Sequence, residues 1–112
     1  MADHVHRITL FKLPKPEDVD TMIEQYKTLE ATSQKDGKPY LLSVVIGKPE
    51  ADPRAQGYTL AAKTEFASAE DMKYYDEECA AHQKLKGVAK TLQVEGILSV
   101  FFKPTLVGGI SQ

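Results

Sequence analysis

The spacing of apolar residues along this chain of 112 residues switches from two to about 3.6 and back, twice. A spacing of two places alternate side chains on opposite faces of a strand, whereas the longer spacing places them along one side of a helix. A chain of this length forms one globular domain, so all of these segments must share one core. The pattern therefore predicts the element order β-α-β-β-α-β.

Four segments carry the strand signal. In the first, 5–13, one face holds His6, Ile8 and Leu10, and the other holds Val5, Thr9, Phe11 and Leu13. The second and fourth, 40–46 and 97–102, are apolar on both faces. The third, 58–66, alternates, with Tyr58, Leu60, Ala62 and Phe66 on one face. Apolar residues on both faces of two strands predict that both sides of the sheet are covered.

Two segments carry the helix signal. Pro16 suits the first turn of a helix, and an apolar stripe follows it at Val19, Met22, Ile23, Tyr26 and Leu29. Ser68 can cap the second helix, but the acidic run 76–78 interrupts its pattern before a second stripe appears at Leu85, Val88, Ala89 and Leu92. We therefore expect a second helical segment with a break in its middle.

These elements predict an α+β, ferredoxin-like domain over residues 4–104, followed by a flexible tail over 105–112. Its four-stranded antiparallel sheet would carry both helices on one face. The other face would then expose a large apolar patch, which soluble monomers rarely tolerate. We expect a homodimer that forms through this open sheet face.

Composition excludes several classes of partner. A net charge of −2 with interspersed lysines and acids argues against nucleic-acid binding. The polar start of the chain and the lack of a long apolar run predict a cytoplasmic protein without a membrane segment. Scattered histidines and isolated glycines predict neither a metal site nor a nucleotide cofactor.

Four stretches together resemble a known family. They are the opening 6–12, the entry to the third strand at 57–59, the stretch from Tyr74-Tyr75 to Ala81-His82, and the closing 101–104. In order and spacing they resemble the stress-responsive A/B barrel (Dabb) domain, a group of dimeric α/β barrels. The resemblance implies a homodimer in which two sheets close into a barrel.

The same family includes plant polyketide cyclases, and the resemblance implies catalytic roles for two residues. His82 matches their histidine, the general base, and Tyr75 most nearly matches their tyrosine, the hydrogen-bond donor. His6 and Tyr26 correspond to pocket residues, whereas an acidic residue of their last strand corresponds here to Phe101. An imidazole can remove a proton beside a carbonyl while a phenol stabilises the developing enolate.

We expect a pocket between the helices and the sheet. The predicted ligand-contacting side chains are those of His6, Ile8, Leu10, Met22, Tyr26, Ala62, Tyr74 and Leu85. Whether Tyr74 or Tyr75 faces this pocket is open at this point.

Three functions fit the sequence. The leading interpretation is a dimeric stress-responsive barrel that binds a small hydrophobic metabolite without established catalysis. The second is a polyketide cyclase or lyase that uses His82 and Tyr75. The third is a purely structural dimer whose interior is filled. A cavity between the helices and the sheet would favour the first two over the third.

Overall fold

The computed structural model describes residues 4–110. Its strands are β1 (Val5–Lys12), β2 (Ser43–Gly47), β3 (Leu60–Phe66) and β4 (Gly96–Phe102), and its α-helices are α1 (Pro16–Thr32), α2 (Ala69–Glu77) and α3 (Ala80–Ala89). A short 3-10 helix, Pro53–Ala55, lies in the long loop before β3. The described residues therefore follow the predicted order, with the second helical segment divided into two.

The four strands form one antiparallel sheet in the order β2-β3-β1-β4. In the centre of the sheet, Thr9 of β1 lies opposite Ala62 of β3 and Ser99 of β4. This order is that of the ferredoxin-like fold, so the predicted fold class is confirmed. The first and third strands of the chain occupy the middle of the sheet, and β4 is an edge strand.

Helix α1 covers one face of the sheet. It begins at Pro16, and Glu17 and Asp18 in its first turn complement the positive end of the helix dipole. Its buried residues are Val19, Met22, Tyr26 and Leu29, as the apolar spacing predicts, while Ile23 is partly buried.

The predicted break in the second helical segment separates α2 from α3. Helix α2 begins after Ser68, whose Oγ accepts a 3.1 Å hydrogen bond from the backbone N–H of Asp71. It ends at Glu77, and the buried Cys79 precedes the first residue of α3. The two helices meet across this turn, where the ring of Tyr75 in α2 contacts the ring of His82 in α3.

No helix within residues 4–110 covers the opposite face of the sheet. Strand registers place Ile8, Leu10, Val45, Leu98, Val100 and Phe102 on this face, which we call the open face. Val45 is 58% exposed and Val100 is 47% exposed, so much of this apolar surface contacts water in a single chain. Phe101 pairs with Arg7 and lies on the helix side of β4.

Two strands begin later than their sequence patterns predict. Strand β2 starts at Ser43 rather than at residue 40, because Tyr40 leaves the sheet and packs edge-on against Tyr74, with ring centroids 5.4 Å apart. Strand β3 starts at Leu60, and the preceding Thr59 hydrogen-bonds the backbone of Leu13.

After β4 the chain contains no further helix or strand up to residue 110. Residues 111 and 112 of the predicted tail, and residues 1–3 at the other end, lie outside the described part of the chain. Within residues 4–110, no helix is both long enough and apolar enough to cross a membrane.

Candidate active site

A cavity of about 520 Å³ lies between the helices and the sheet. This volume falls within the range of small-molecule sites. Its lining residues come from β1, α1, β3, the last turn of α2, α3, β4 and the loop between α3 and β4: Arg7, Thr9, Phe11, Tyr26, Ala62, Thr64, Tyr75, His82, Leu85, Lys86, Ala89, Lys90, Leu92, Val94, Ile97 and Ser99. The space between the layers is therefore not filled by side chains.

Five of the ten predicted site residues, counting His82 and Tyr75, meet at this cavity. Tyr26 reaches it from α1, Ala62 from β3, Tyr75 from α2, and His82 and Leu85 from α3. Tyr75 is 2% exposed and His82 is 4% exposed, so both rings are enclosed by the fold.

The placement of His6, Ile8 and Leu10 differs from the expectation. They project from the open face of β1, whereas the alternate residues of this strand face the helices. His6 stacks on Phe102 of the neighbouring strand, with ring centroids 5.4 Å apart. The physical reason is that both faces of β1 are largely apolar, so alternation alone does not show which face meets the helices.

Two further predicted pocket residues lie elsewhere. Met22 is fully buried in the core and is not part of the cavity wall. Tyr74 points away from the cavity, and its hydroxyl donates a 3.0 Å hydrogen bond to the backbone carbonyl of Gln34. Adjacent helical residues point in directions about 100° apart, so only one of the two tyrosines faces inward, and that residue is Tyr75.

The hydrogen bonding of His82 fixes its tautomer. Its Nδ1 lies 2.8 Å from the backbone carbonyl oxygen of Tyr75. A carbonyl oxygen can only accept a hydrogen bond, so Nδ1 carries the proton and donates it. Nε2 then carries a lone pair, and no residue between 4 and 110 hydrogen-bonds to it. His82 therefore lines the cavity as a neutral hydrogen-bond acceptor.

Burial lowers the pKa of His82 from 6.5 to about 4. The hydrogen bond to the Tyr75 carbonyl acts in the opposite direction, while the charges of Arg7 and Lys86 lower the pKa further. At neutral pH the imidazole is therefore unprotonated and available to accept a proton.

Tyr75 is stacked against His82. Their ring centroids are 3.8 Å apart and the ring planes differ by 14°. Burial raises the pKa of the Tyr75 phenol, although Arg7 and a hydrogen bond with Thr64 act to lower it. Burial likewise raises the pKa of Tyr26 to about 12. Both phenols remain protonated at neutral pH and can donate hydrogen bonds.

Arg7 is the site residue that the sequence interpretation missed. It lies on the helix side of β1, where its Nη1 donates to Asp76 and its Nε donates to Ser99 Oγ at 3.3 Å. Its guanidinium also lies over the ring of Tyr75, 5.4 Å from the centroid. Its position in β1 could have identified it, because Arg7 lies an even number of residues from Thr9 and Phe11 and therefore on the same face of the strand.

Within residues 4–110, no three His, Cys, Asp or Glu side chains are close enough to hold a metal ion. The functional groups at the cavity include a neutral imidazole, two phenols and a guanidinium, next to apolar side chains. This set can transfer a proton and stabilise a developing negative charge on oxygen.

Comparison with known proteins places this chain in a family. Residues 5–100 match the model of the stress responsive A/B barrel domain. The fusaristatin A biosynthesis cluster protein of Gibberella zeae is 50% identical to this chain over 109 residues, which make up 97% of this chain and 79% of that protein.

Solved structures share the fold at lower sequence identity. The hydroxynitrile lyase from Passiflora edulis is 16% identical with a TM-score of 0.76, over 97% of this chain and all 100% of that chain. A dimeric ferredoxin-like protein of unknown function from Thermobifida fusca is 17% identical with a TM-score of 0.74, over 93% of both chains. The family model covers most of the domain, and the chain therefore belongs to the stress responsive A/B barrel domain family.

Proposed function

We propose that this protein binds a small carbonyl compound with an apolar tail and moves a proton at the carbon beside the carbonyl. This step is common to aldol-type ring closure, as in a polyketide cyclase, and to the reverse cleavage by a lyase. One observation carries the proposal: the bond from His82 Nδ1–H to the Tyr75 carbonyl leaves the basic Nε2 at a cavity of about 520 Å³.

The rings of His82 and Tyr75 have one role each in the proposed proton transfer. His82 Nε2 takes the proton from the α-carbon, and the electron pair of the C–H bond moves to the carbonyl oxygen as an enolate. The Tyr75 hydroxyl donates a hydrogen bond to that oxygen. The enolate carbon then attacks a second carbonyl carbon of the same molecule, and the His82 Nε2–H protonates the resulting alkoxide. The base returns to its neutral form.

Electrostatics favour the charged intermediate of this reaction. The low pKa of His82 makes protonation unfavourable in the empty site. An enolate next to the imidazolium forms an opposite charge pair, which offsets that cost. Arg7 lies over the Tyr75 ring and adds a second positive charge close to the enolate oxygen.

The relatives agree with small-molecule chemistry. A protein that shares half of its aligned residues with this chain is named for a biosynthesis cluster, and a structural neighbour is named as a lyase. We therefore assign the substrate to the carbonyl intermediates of a biosynthetic pathway.

We also propose that the protein acts as a homodimer joined through the open face. Structural neighbours of the same fold are described as dimeric. The open face carries the half-exposed side chains of Val45, Leu98 and Val100, which a second copy would remove from water. Two sheets packed in this way would close an α/β barrel and leave the two cavities on its outside.

One specific observation supports an alternative without catalysis. A base with a pKa of about 4 has little driving force to remove a proton from carbon near neutral pH. The cavity would then bind an apolar metabolite and protect it. Binding of a ketone without proton exchange would identify this function.

Proton exchange tests the proposal without knowledge of the natural substrate. An aliphatic methyl ketone is incubated with the protein in deuterated water, and NMR follows the loss of its α-proton signal. We expect catalysed exchange, reduced on the order of 100-fold or more in His82→Asn. The Asn amide can still donate to the Tyr75 carbonyl but provides no basic nitrogen.

A matched control replaces a histidine outside the cavity. His4 hydrogen-bonds to Glu65 and does not line the cavity, so His4→Gln should exchange protons at the wild-type rate. Equal exchange by wild type and His82→Asn would refute the assignment of His82 as the base.

A further inference from the structure

The cavity wall has a charge opposite to that of the whole chain. The chain carries a net charge of −2. The cavity-lining residues nevertheless include three cations, Arg7, Lys86 and Lys90, and no acidic residue. Because His82 is neutral, these cations determine the electrostatic potential that a ligand meets.

Asp76 neutralises only part of this charge. Its carboxylate accepts from Arg7 Nη1 and lies 3.9 Å from Lys86 Nζ. It is not part of the cavity wall, and its side chain is 41% exposed, so water also solvates it. One carboxylate beside three cations leaves a net positive site.

Arg7 retains hydrogen-bonding capacity within the site. Its side chain is only 15% exposed. Its Nε and Nη1 groups bond to Ser99 and Asp76, whereas Nη2 makes no hydrogen bond to any residue between 4 and 110. A guanidinium has five N–H donors in a planar fork that matches a carboxylate.

Much of the remaining wall of the cavity is apolar. Phe11, Ala62, Leu85 and Leu92 line it, and Ile97 of the edge strand β4 contributes a side chain that is 56% exposed. A ligand that satisfies both parts of the site must combine an anionic group with a hydrocarbon portion.

We infer that the ligand of this cavity is a carboxylic acid in its anionic form, with the carboxylate bound by Arg7 and the hydrocarbon chain lying along Leu85 and Leu92. The inference rests on the proposed function for the place of binding and adds the substrate class. Arg7 is then a specificity-determining residue, because it selects the free acid over a neutral ester, amide or aldehyde.

Carboxylate binding also affects the proposed base. Arg7 is one of the charges that lower the pKa of His82. A carboxylate next to the guanidinium cancels much of that charge and shifts the pKa of His82 back towards neutrality. The acid group would therefore position the substrate and make the imidazole a better base.

Calorimetric titration with two ligands of equal shape tests this inference. Octanoate and octanamide differ in charge but hardly in size. We expect octanoate to bind roughly tenfold tighter or better, since an ion pair with a guanidinium exceeds a neutral hydrogen bond. Arg7→Met should remove this preference, because it weakens the binding of octanoate far more than that of octanamide. Equal affinity in the wild type, or a preference that persists in Arg7→Met, would overturn the inference.

Controls separate the effects of local charge from those of global charge and folding. Lys84 is exposed on α3 outside the cavity, so Lys84→Met loses the same charge and should keep the full preference. Arg7→Lys retains the charge without the fork and should show an intermediate preference. If Arg7→Met does not fold, the comparison of Arg7→Lys with the wild type tests whether the guanidinium binds the carboxylate. Equal preferences for octanoate in these two proteins would then count against binding by the guanidinium fork.

Failure of the carboxylate inference can be distinguished from failure of the proposed function. His82→Asn should lose proton exchange but still prefer octanoate, because Arg7 is intact. Ketone exchange without a preference for octanoate would refute the inferred carboxylate ligand and leave the proposed proton transfer standing. Absence of both would refute the cavity as the site.

Discussion

The imidazole of His82 lies parallel to the phenol of Tyr75 at a centroid distance of 3.8 Å, and its Nδ1 donates to the backbone carbonyl of the same tyrosine. Two residues that are seven positions apart, on separate helices, thus form one unit. The backbone contact orients the base, and the stacked ring places a hydroxyl within the same cavity.

Tyr75→Phe should slow ketone proton exchange roughly tenfold or more, because it removes the proposed donor to the enolate oxygen. The ring that stacks on His82 is retained, so the melting temperature should change little. Tyr74→Phe is the matched control, since Tyr74 bonds to Gln34 outside the cavity. If both variants exchange protons equally fast, the phenol of Tyr75 has no part in the reaction.

The low pKa of His82 predicts a pH-dependent stability. The pKa is about 4 in the folded chain and 6.5 in the reference state, so the unfolded chain binds more protons between these values. The free energy of unfolding should therefore decrease as the pH falls from about 6.5 towards 4, by on the order of 3 kcal/mol in total. Urea denaturation over this pH range measures the decrease.

His82→Asn provides the reference for that measurement. The variant has no titrating group at this position but can still bond to the Tyr75 carbonyl. Its unfolding free energy should depend less on pH than that of the wild type over the same range. Identical pH dependence in the two proteins would show that His82 titrates normally in the folded state.

His82→Ala should be less stable than His82→Asn at neutral pH. Alanine leaves the Tyr75 carbonyl without its partner and removes the ring that stacks on the phenol. An unsatisfied buried acceptor costs about 1–3 kcal/mol. Comparison of the two variants by urea denaturation separates this structural contribution from the chemical role of Nε2. Equal stability would mean that water replaces the lost donor.

The sequence was sufficient to predict the fold because the periodicities are strong and consistent. The acidic run 76–78 also indicated correctly that the second helical segment is broken. Helix α1 buries the predicted residues because its stripe has only one apolar side. In each of these cases local pattern and tertiary packing favour the same structure.

The site was less predictable because β1 has two plausible inner faces. Ile8 and Leu10 are as apolar as Val5 and Phe11, so alternation separates the faces without ranking them. The choice depends on contacts with α1 and α3, which lie far away in sequence. Arg7 was missed for the same reason, since its position beside Tyr75 follows only once the inner face is known.

The open face provides a final test, based on two neighbouring residues of β4. Val100 lies on the open face, whereas Phe101 lies on the helix side of the same strand. In the proposed dimer, Val100→Glu would bury an unpaired charge at a cost of several kcal/mol, so we expect monomers or insoluble protein. Phe101→Glu places the same charge one position away on the other face and should leave the dimer intact. Light scattering coupled to size-exclusion chromatography measures both masses. A dimeric Val100→Glu variant of normal stability would exclude the open face as the interface, and dissociation by Phe101→Glu alone would move the interface to the helix side of the edge strand.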